Sequence, residues 1–277
     1  MFLVKQITPT KILLNHNCLE EYFKKELSDL VSENSWMTEW EQLVQRFQLL
    51  KFKELSETEI KSLKWDDDEI ERIVHKTFQN VSQFLPFKAM RITVVPALQL
   101  PYFQEQPQSM WTNAFTNGPG NVIIAIPPQP DIDFLQYLLA HEYHHASPEN
   151  PIYQLSTSTF TLEEWYKMEG TAECFALSLY PDKRWWKDNL PIEMEIRYWN
   201  ECKDHLKSID DYLKASLCFG NPQKGIPVFA GYSFALKVVS NYVSTYHLKD
   251  VRELFSVEPS ALLECYATIV QKENRWI

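Results

Sequence analysis

Asp131-Ile132-Asp133-Phe134-Leu135-Gln136-Tyr137-Leu138-Leu139-Ala140-His141-Glu142-Tyr143-His144-His145-Ala146 is the stretch on which the reading of this chain turns. Asp131 can cap a helix whose apolar residues run to about Ala146, and Pro148 stops it, because proline has no N–H to continue the ladder. On that helix His141 and His145 are four residues apart and share a face one turn apart. Phe134, Tyr137 and Leu138 lie on the same face, so the two imidazoles are drawn toward the interior, where polar groups need partners. A pair so placed can ligate one tetrahedral zinc ion. Glu142 sits about 100° round the helix from His141, to one side of the metal axis, where a carboxylate can take a proton from water.

This is the H-E-x-x-H arrangement of metallopeptidases. His144 lies roughly 60° from His141 on the side away from Glu142. It reads as a supporting or exposed neighbour, since the four-residue spacing leaves His145 better placed to ligate. His16, His75, His205 and His247 are isolated and read as surface or satisfied core histidines. A third ligand is available in Glu169-Gly170-Thr171-Ala172-Glu173. Thr161 and Glu164 form a capping box for the helix that holds this stretch and ends before Pro181. Gly170 and Ala172 are small, and a glycine that costs about 1 kcal/mol in a helix interior signals close packing. The expectation is that they let this helix approach the histidine helix. Glu173, one turn beyond Glu169, is expected to accept the other ring N–H of a ligand histidine and fix its tautomer.

Outward from these two segments the chain reads as helices, a small sheet, then helices. Residues 17–86 are predicted helical, with Leu19, Tyr22, Phe23 and Leu27, and then Ile70, Ile73, Val74, Phe78 and Val81, at helical spacing. Strands are expected over residues 90–95, 111–115 and 122–126. The last two flank Thr116-Asn117-Gly118-Pro119-Gly120, a hairpin turn, and Pro127-Pro128 ends the second. A polar stretch over residues 147–159 suggests a lid. Further helices are expected near residues 190–206, 208–218, 229–246 and 258–272. The fold class is α+β, mostly helical, with a small sheet before the histidine helix. Two regions follow: residues 1–88, an N-terminal helical region, and residues 89–277, the part that carries the site.

The 277-residue chain is 45% hydrophobic and 14% aromatic, enough to bury a core. Its net charge of −10, without a basic stripe, excludes a nucleic-acid binder. The acidic run Asp66-Asp67-Asp68-Glu69 reads as a solvated helix start. Cys18, Cys174, Cys202, Cys218 and Cys265 are odd in number and contain no C-x-x-C, which excludes a disulfide framework and a zinc ribbon. No signal-peptide core and no membrane span are found in the sequence, so a cytoplasmic protein is expected.

The pairing of Leu138-Leu139-Ala140-His141-Glu142-Tyr143-His144-His145 with Glu169-Gly170-Thr171-Ala172-Glu173 resembles the YjaZ-like predicted zinc-dependent proteases of bacteria. Gly225-Ile226-Pro227-Val228-Phe229-Ala230-Gly231-Tyr232 is similar to a later segment of that pattern, although Ser233, Phe234 and Ala235 stand where a second glycine is expected. More broadly the layout resembles the gluzincins. The resemblance implies a zincin-like domain, Zn2+ as cofactor with Glu169 as third ligand beside His141 and His145, Glu142 as general base, and residues 122–126 as an edge strand that binds peptide. The partner expected is a peptide or protein substrate, with no nucleic acid and no membrane. Tyr232 is the leading candidate for donor to the developing oxyanion, with Tyr166 and His205 behind it. The rival readings are a metal-binding regulator or scaffold that hydrolyses nothing, a metal-dependent hydrolase of small amides, and a helical interaction module in which the motif is accidental.

Overall fold

The computed structural model describes residues 2–33, 35–87, 89–100, 103, 106–151, 159–186 and 189–273. The suggested lid over residues 147–159 falls for the most part outside them. Among the described residues, four strands form one sheet: β1 (Phe2–Gln6), β2 (Met90–Pro96), β3 (Asn113–Thr116) and β4 (Asn121–Ile126), in the order β1-β2-β4-β3. The expected hairpin is present, with Thr116 opposite Val122 and Asn113 opposite Ala125 in an antiparallel pair. β1, which the sequence reading leaves without a strand, pairs parallel with β2, Phe2 opposite Met90.

One expectation is overturned. Residues 122–126 do not form an edge strand: β4 pairs parallel with β2 on one side and antiparallel with β3 on the other. Its apolar run, Val122 to Ile126, is buried on both faces, which is how a central strand reads. Among the described strands, the sheet's edges are β1 and β3.

Strand alternation divides the sheet's two faces. Val95, Ile123 and Ala125 pack into a core with Ile12, Leu19, Phe23, Leu27, Leu43 and Phe52. These come mainly from α1 (Pro9–Leu14), α2 (Leu19–Leu27), α3 (Trp40–Arg46) and the turns beside them, with α4 (Glu57–Ser62) adding Ile60. The opposite face, with Ile92, Val94, Val122 and Ile124, is covered by α5 (Asp67–Val81) and α6 (Ile132–Ala146), which pack on each other and on the strands. Phe2 on this face packs edge-on against His75 and tilted against Phe78, both on α5. Phe78 in turn meets Tyr143 of α6 at 5.1 Å.

The chain forms two compact units, Met1–Pro148 and Glu149–Ile277. The second unit is helical: α7 (Leu162–Leu179), α8 (Ile192–Cys202), α9 (Asp211–Phe219), α10 (Ala230–Tyr246) and α11 (Pro259–Glu273). α10 is its axis and packs on α7, α9 and α11. Two glycines set the approach. A Cβ on Gly170 would run into the Ala235 carbonyl oxygen and come within 2.7 Å of Val239 Cγ2, and one on Gly231 would come within 2.5 Å of Cys218 Cα. Gly170 therefore faces α10, which corrects the expectation that it spaces α7 from the histidine helix. Ala235, where the family pattern led us to expect glycine nearby, is the residue it meets. No described helix is long and apolar enough to cross a membrane.

Candidate metal centre

α6 starts where Asp131 accepts the Phe134 N–H, and from Tyr137 to Ala146 every residue is buried. A helix buried all round presents side chains to neighbours in every direction, so His141, Glu142, His144 and His145 are all inside, and His144 is not the exposed residue that was one of its two readings. Two ties hold the C-terminal end. Tyr143 Oη donates to the Leu85 carbonyl at 2.6 Å, and the Gly120 N–H of the hairpin donates to the Ala146 carbonyl at 3.0 Å. Burial raises the Tyr143 phenol above its ordinary pKa, keeping it a donor.

The one-turn spacing brings the two imidazoles together. His141 Nε2 and His145 Nε2 are 2.9 Å apart, with ring planes at 82°. Two imidazole nitrogens on one tetrahedral zinc sit roughly 3.3 Å apart for Zn–N bonds of about 2.0–2.1 Å. The pair is within half an ångström of that separation, so the donor set fits a borderline ion such as zinc. Glu142 comes from the same turn, and Thr116 of β3 reaches it. Thr116 Oγ1 lies 2.7 Å from Glu142 Oε2 and 2.9 Å from the Glu142 main-chain oxygen. The sequence reading places Thr116 only at the mouth of the turn. The signal that finds it is period two: Thr116 stands opposite Val122, so it shares the face on which Val122 and Ile124 meet α6.

In the second unit, Thr161 caps α7 by the expected reciprocal box with Glu164. Glu169 and Glu173 are both buried, Glu173 with no exposed surface. His141, His145 and Glu169 each carry a ligating atom on a buried side chain. Cys218 is held protonated well above the usual thiol range, by burial first and then by the negative charge of Glu169. Tyr232 is buried, its ring edge-on to Trp165 at 5.0 Å and to Trp185 at 5.7 Å, with Phe219 and Phe229 also around it. Tyr166 Oη lies 2.8 Å from Tyr198 Oη, which donates to the Leu217 carbonyl. Burial, and then its neighbour Tyr198, pushes the Tyr166 phenol up. His205 is exposed on a 3-10 turn.

A family model described as "Predicted Zn-dependent protease (DUF2268)" matches residues 70–264. No curated protein and no solved structure matches the chain.

Proposed function

Since the chain belongs to this family of predicted Zn-dependent proteases, we propose that it hydrolyses peptide bonds, with His141, His145 and Glu169 holding zinc and Glu142 acting as general base. The observation that carries the reading is the convergence of two buried imidazole nitrogens 2.9 Å apart, next to a carboxylate on the same helical turn. A histidine pair that served only packing would not need that carboxylate. Zinc, when bound, supplies a Lewis acid that lowers the pKa of water to about 7 and polarises a carbonyl.

The chain's own residues do the rest. Glu142 takes the proton of the attacking water and hands it to the departing amine, so no net proton is consumed at the carboxylate. Glu173 accepts the second ring N–H of a ligand histidine, which leaves the other nitrogen's lone pair for the metal. Tyr232 is the proposed donor to the developing oxyanion; the aromatic rings around it restrict its ring. Peptide is proposed to lie along β3, which takes the place first given to β4: β3 has β4 on one side and, among the described strands, none on the other. Extended peptides bind such edges by main-chain pairing. The proposed peptidase region is residues 89–277, with residues 1–88 as its N-terminal extension.

The test is elemental analysis combined with cleavage of a broad peptide library. The purified chain should carry about one zinc. Glu142→Gln keeps the side chain's shape and removes no ligand, so metal content and thermal stability should stay near wild type while hydrolysis falls by at least ~10²-fold. Wild-type cleavage by Glu142→Gln would exclude it as the base. A zinc-loaded chain that cleaves nothing in peptide or amide libraries would favour the regulator reading instead.

A further inference from the structure

The geometry points to Thr116 as a positioning residue for Glu142, one that dedicates a single carboxylate oxygen to the base's work. This rests on the peptidase reading above. Thr116 Oγ1 has one hydrogen and two acceptors within reach, Glu142 Oε2 at 2.7 Å and the Glu142 main-chain oxygen at 2.9 Å. The shorter contact is to Oε2, so the single hydrogen is assigned to the carboxyl oxygen, with the main-chain oxygen as the weaker second acceptor. Both side chains are buried, each 5% exposed, and a hydrogen bond is stronger where water does not compete for it. With Oε2 engaged by the hydroxyl, Oε1 is left as the oxygen that receives the proton. A glutamate otherwise has three side-chain torsions to search, and a base must be held to within a fraction of an ångström of its task.

The hydroxyl can do this because Thr116 is itself fixed. It pairs with Val122 across the hairpin. Its neighbour Asn117 is fully used: Oδ1 accepts the Met37 N–H at 2.7 Å, and Nδ2 donates to the Leu30 and Met37 carbonyls at 2.8 and 3.0 Å. At the other end of the turn, Gly120 has φ +71°, and a Cβ there would meet the Ala89 oxygen at 2.6 Å. Its N–H donates to Ala146 at the end of α6, and its carbonyl accepts from Arg91 of β2. The hairpin is thus tied to the sheet, to the segment around residues 30–37 and to the last turn of the helix that carries Glu142. A serine or threonine at position 116 meets Glu142 from a fixed point, and valine would keep the shape without the hydrogen.

The test uses the full zinc-loaded chain with Thr116→Val, Thr116→Ser, Glu142→Gln and the double variant Thr116→Val/Glu142→Gln. Thr116→Val should lower kcat by about 10-fold or more, with KM and zinc affinity within about 2-fold, the size of effect seen when a group that orients a site residue is lost. Thr116→Ser should recover most of kcat. In the Glu142→Gln background Thr116→Val should cost little further, because the group it positions can no longer act. A second readout needs no activity: in the metal-free protein, Thr116→Val should lower Tm, and by clearly less when Glu142 is alanine. Wild-type kcat in Thr116→Val, or equal loss in the serine and valine variants, would overturn the inference while leaving the peptidase reading intact. A zinc-loaded wild-type chain that cleaves nothing would overturn both.

Discussion

Helices α6 and α7 between them carry the groups proposed for the metal centre, His141, Glu142 and His145 on the first and Glu169 and Glu173 on the second, and they place them by different physics. On α6 helical spacing puts His141 and His145 on one face, four residues and one turn apart, and their Nε2 atoms lie 2.9 Å apart. Burial and the ties to Leu85, Gly120 and Thr116 seat the helix. On α7 the spacing of Glu169 and Glu173 puts both on one face, but where that face points is set by how α7 packs on α10 and α11, a packing in which Gly170 allows the close approach to α10. The comparison separates a local code from a packing code. The first survives moderate changes elsewhere in the fold; the second depends on how closely α7 can approach its neighbours, which Gly170 permits at α10.

The largest effects are expected from removing ligands, and they test whether both codes serve one ion. His145→Ala and Glu169→Ala should each lower bound zinc from about one per chain to under about a tenth after dialysis, since three protein ligands are the minimum of a catalytic zinc site. Elemental analysis reads this directly. Full retention of zinc by Glu169→Ala would break the comparison, because α7 would then carry no ligand. Loss in Glu169→Ala and not in His145→Ala would misassign the α6 pair.

A second-rank effect concerns the packing code. Gly170→Ala places a methyl group against the Ala235 carbonyl and Val239. Backbone oxygen does not yield as a flexible side chain does, so α7 must shift from α10. Overpacking of this kind costs about 1–3 kcal/mol, which for a chain of this size lowers the unfolding midpoint by roughly 2–10 °C. Zinc affinity should fall as well, because Glu169 is the adjacent residue. On an exposed helical face the same change would stabilise by up to about 1 kcal/mol, since alanine is the better helix former. The sign of ΔTm in a calorimetric scan therefore decides between a packing glycine and an incidental one.

The same division explains what was legible in the sequence. Local signals were read correctly: Asp131 and the Thr161–Glu164 box cap their helices, and the turn at residues 116–120 joins two antiparallel strands. β1 escaped because its partner lies far along the chain, Phe2 against Met90, and a short strand with half-buried residues has no period to announce it. The hairpin revealed that β3 and β4 are neighbours but not that β2 lies beyond β4, a parallel pairing that leaves no turn between the two. The unbroken apolar run of β4 did hold that information, because only a strand covered on both faces can bear it. Gly170 announced a close approach without naming the helix approached. Thr116 was hidden because a turn threonine is ordinary until the register of its strand is known.

A smaller effect is expected at Glu173. It is fully buried on the same face of α7 as Glu169, and its proposed work is to orient a ligand histidine. Glu173→Ala should weaken zinc binding or turnover by roughly 10- to 100-fold without unfolding the chain, as the loss of such supporting carboxylates does. Competition with a chelator of known affinity measures the first quantity. Unchanged zinc affinity and turnover would leave Glu173 with a packing role, and the two carboxylates of α7 would then differ in kind.

The smallest effect sharpens the comparison from the α6 side. Tyr143 occupies a variable position of the H-E-x-x-H stretch, and its ring points away from the proposed metal, into Phe78 and Phe87. Its hydroxyl donates to the Leu85 carbonyl at 2.6 Å. Tyr143→Phe leaves that buried carbonyl without this donor, which costs about 1–2 kcal/mol, or roughly 2–8 °C in midpoint for a chain of this size. If helical spacing alone sets the histidine pair, zinc content and affinity should not move, since the phenyl ring keeps its place and no ligand changes turn. Should zinc affinity drop by 10-fold or more with the helix still folded, the pair on α6 would depend on how the helix is seated as well as on its spacing, and the distinction between the two helices would become one of degree.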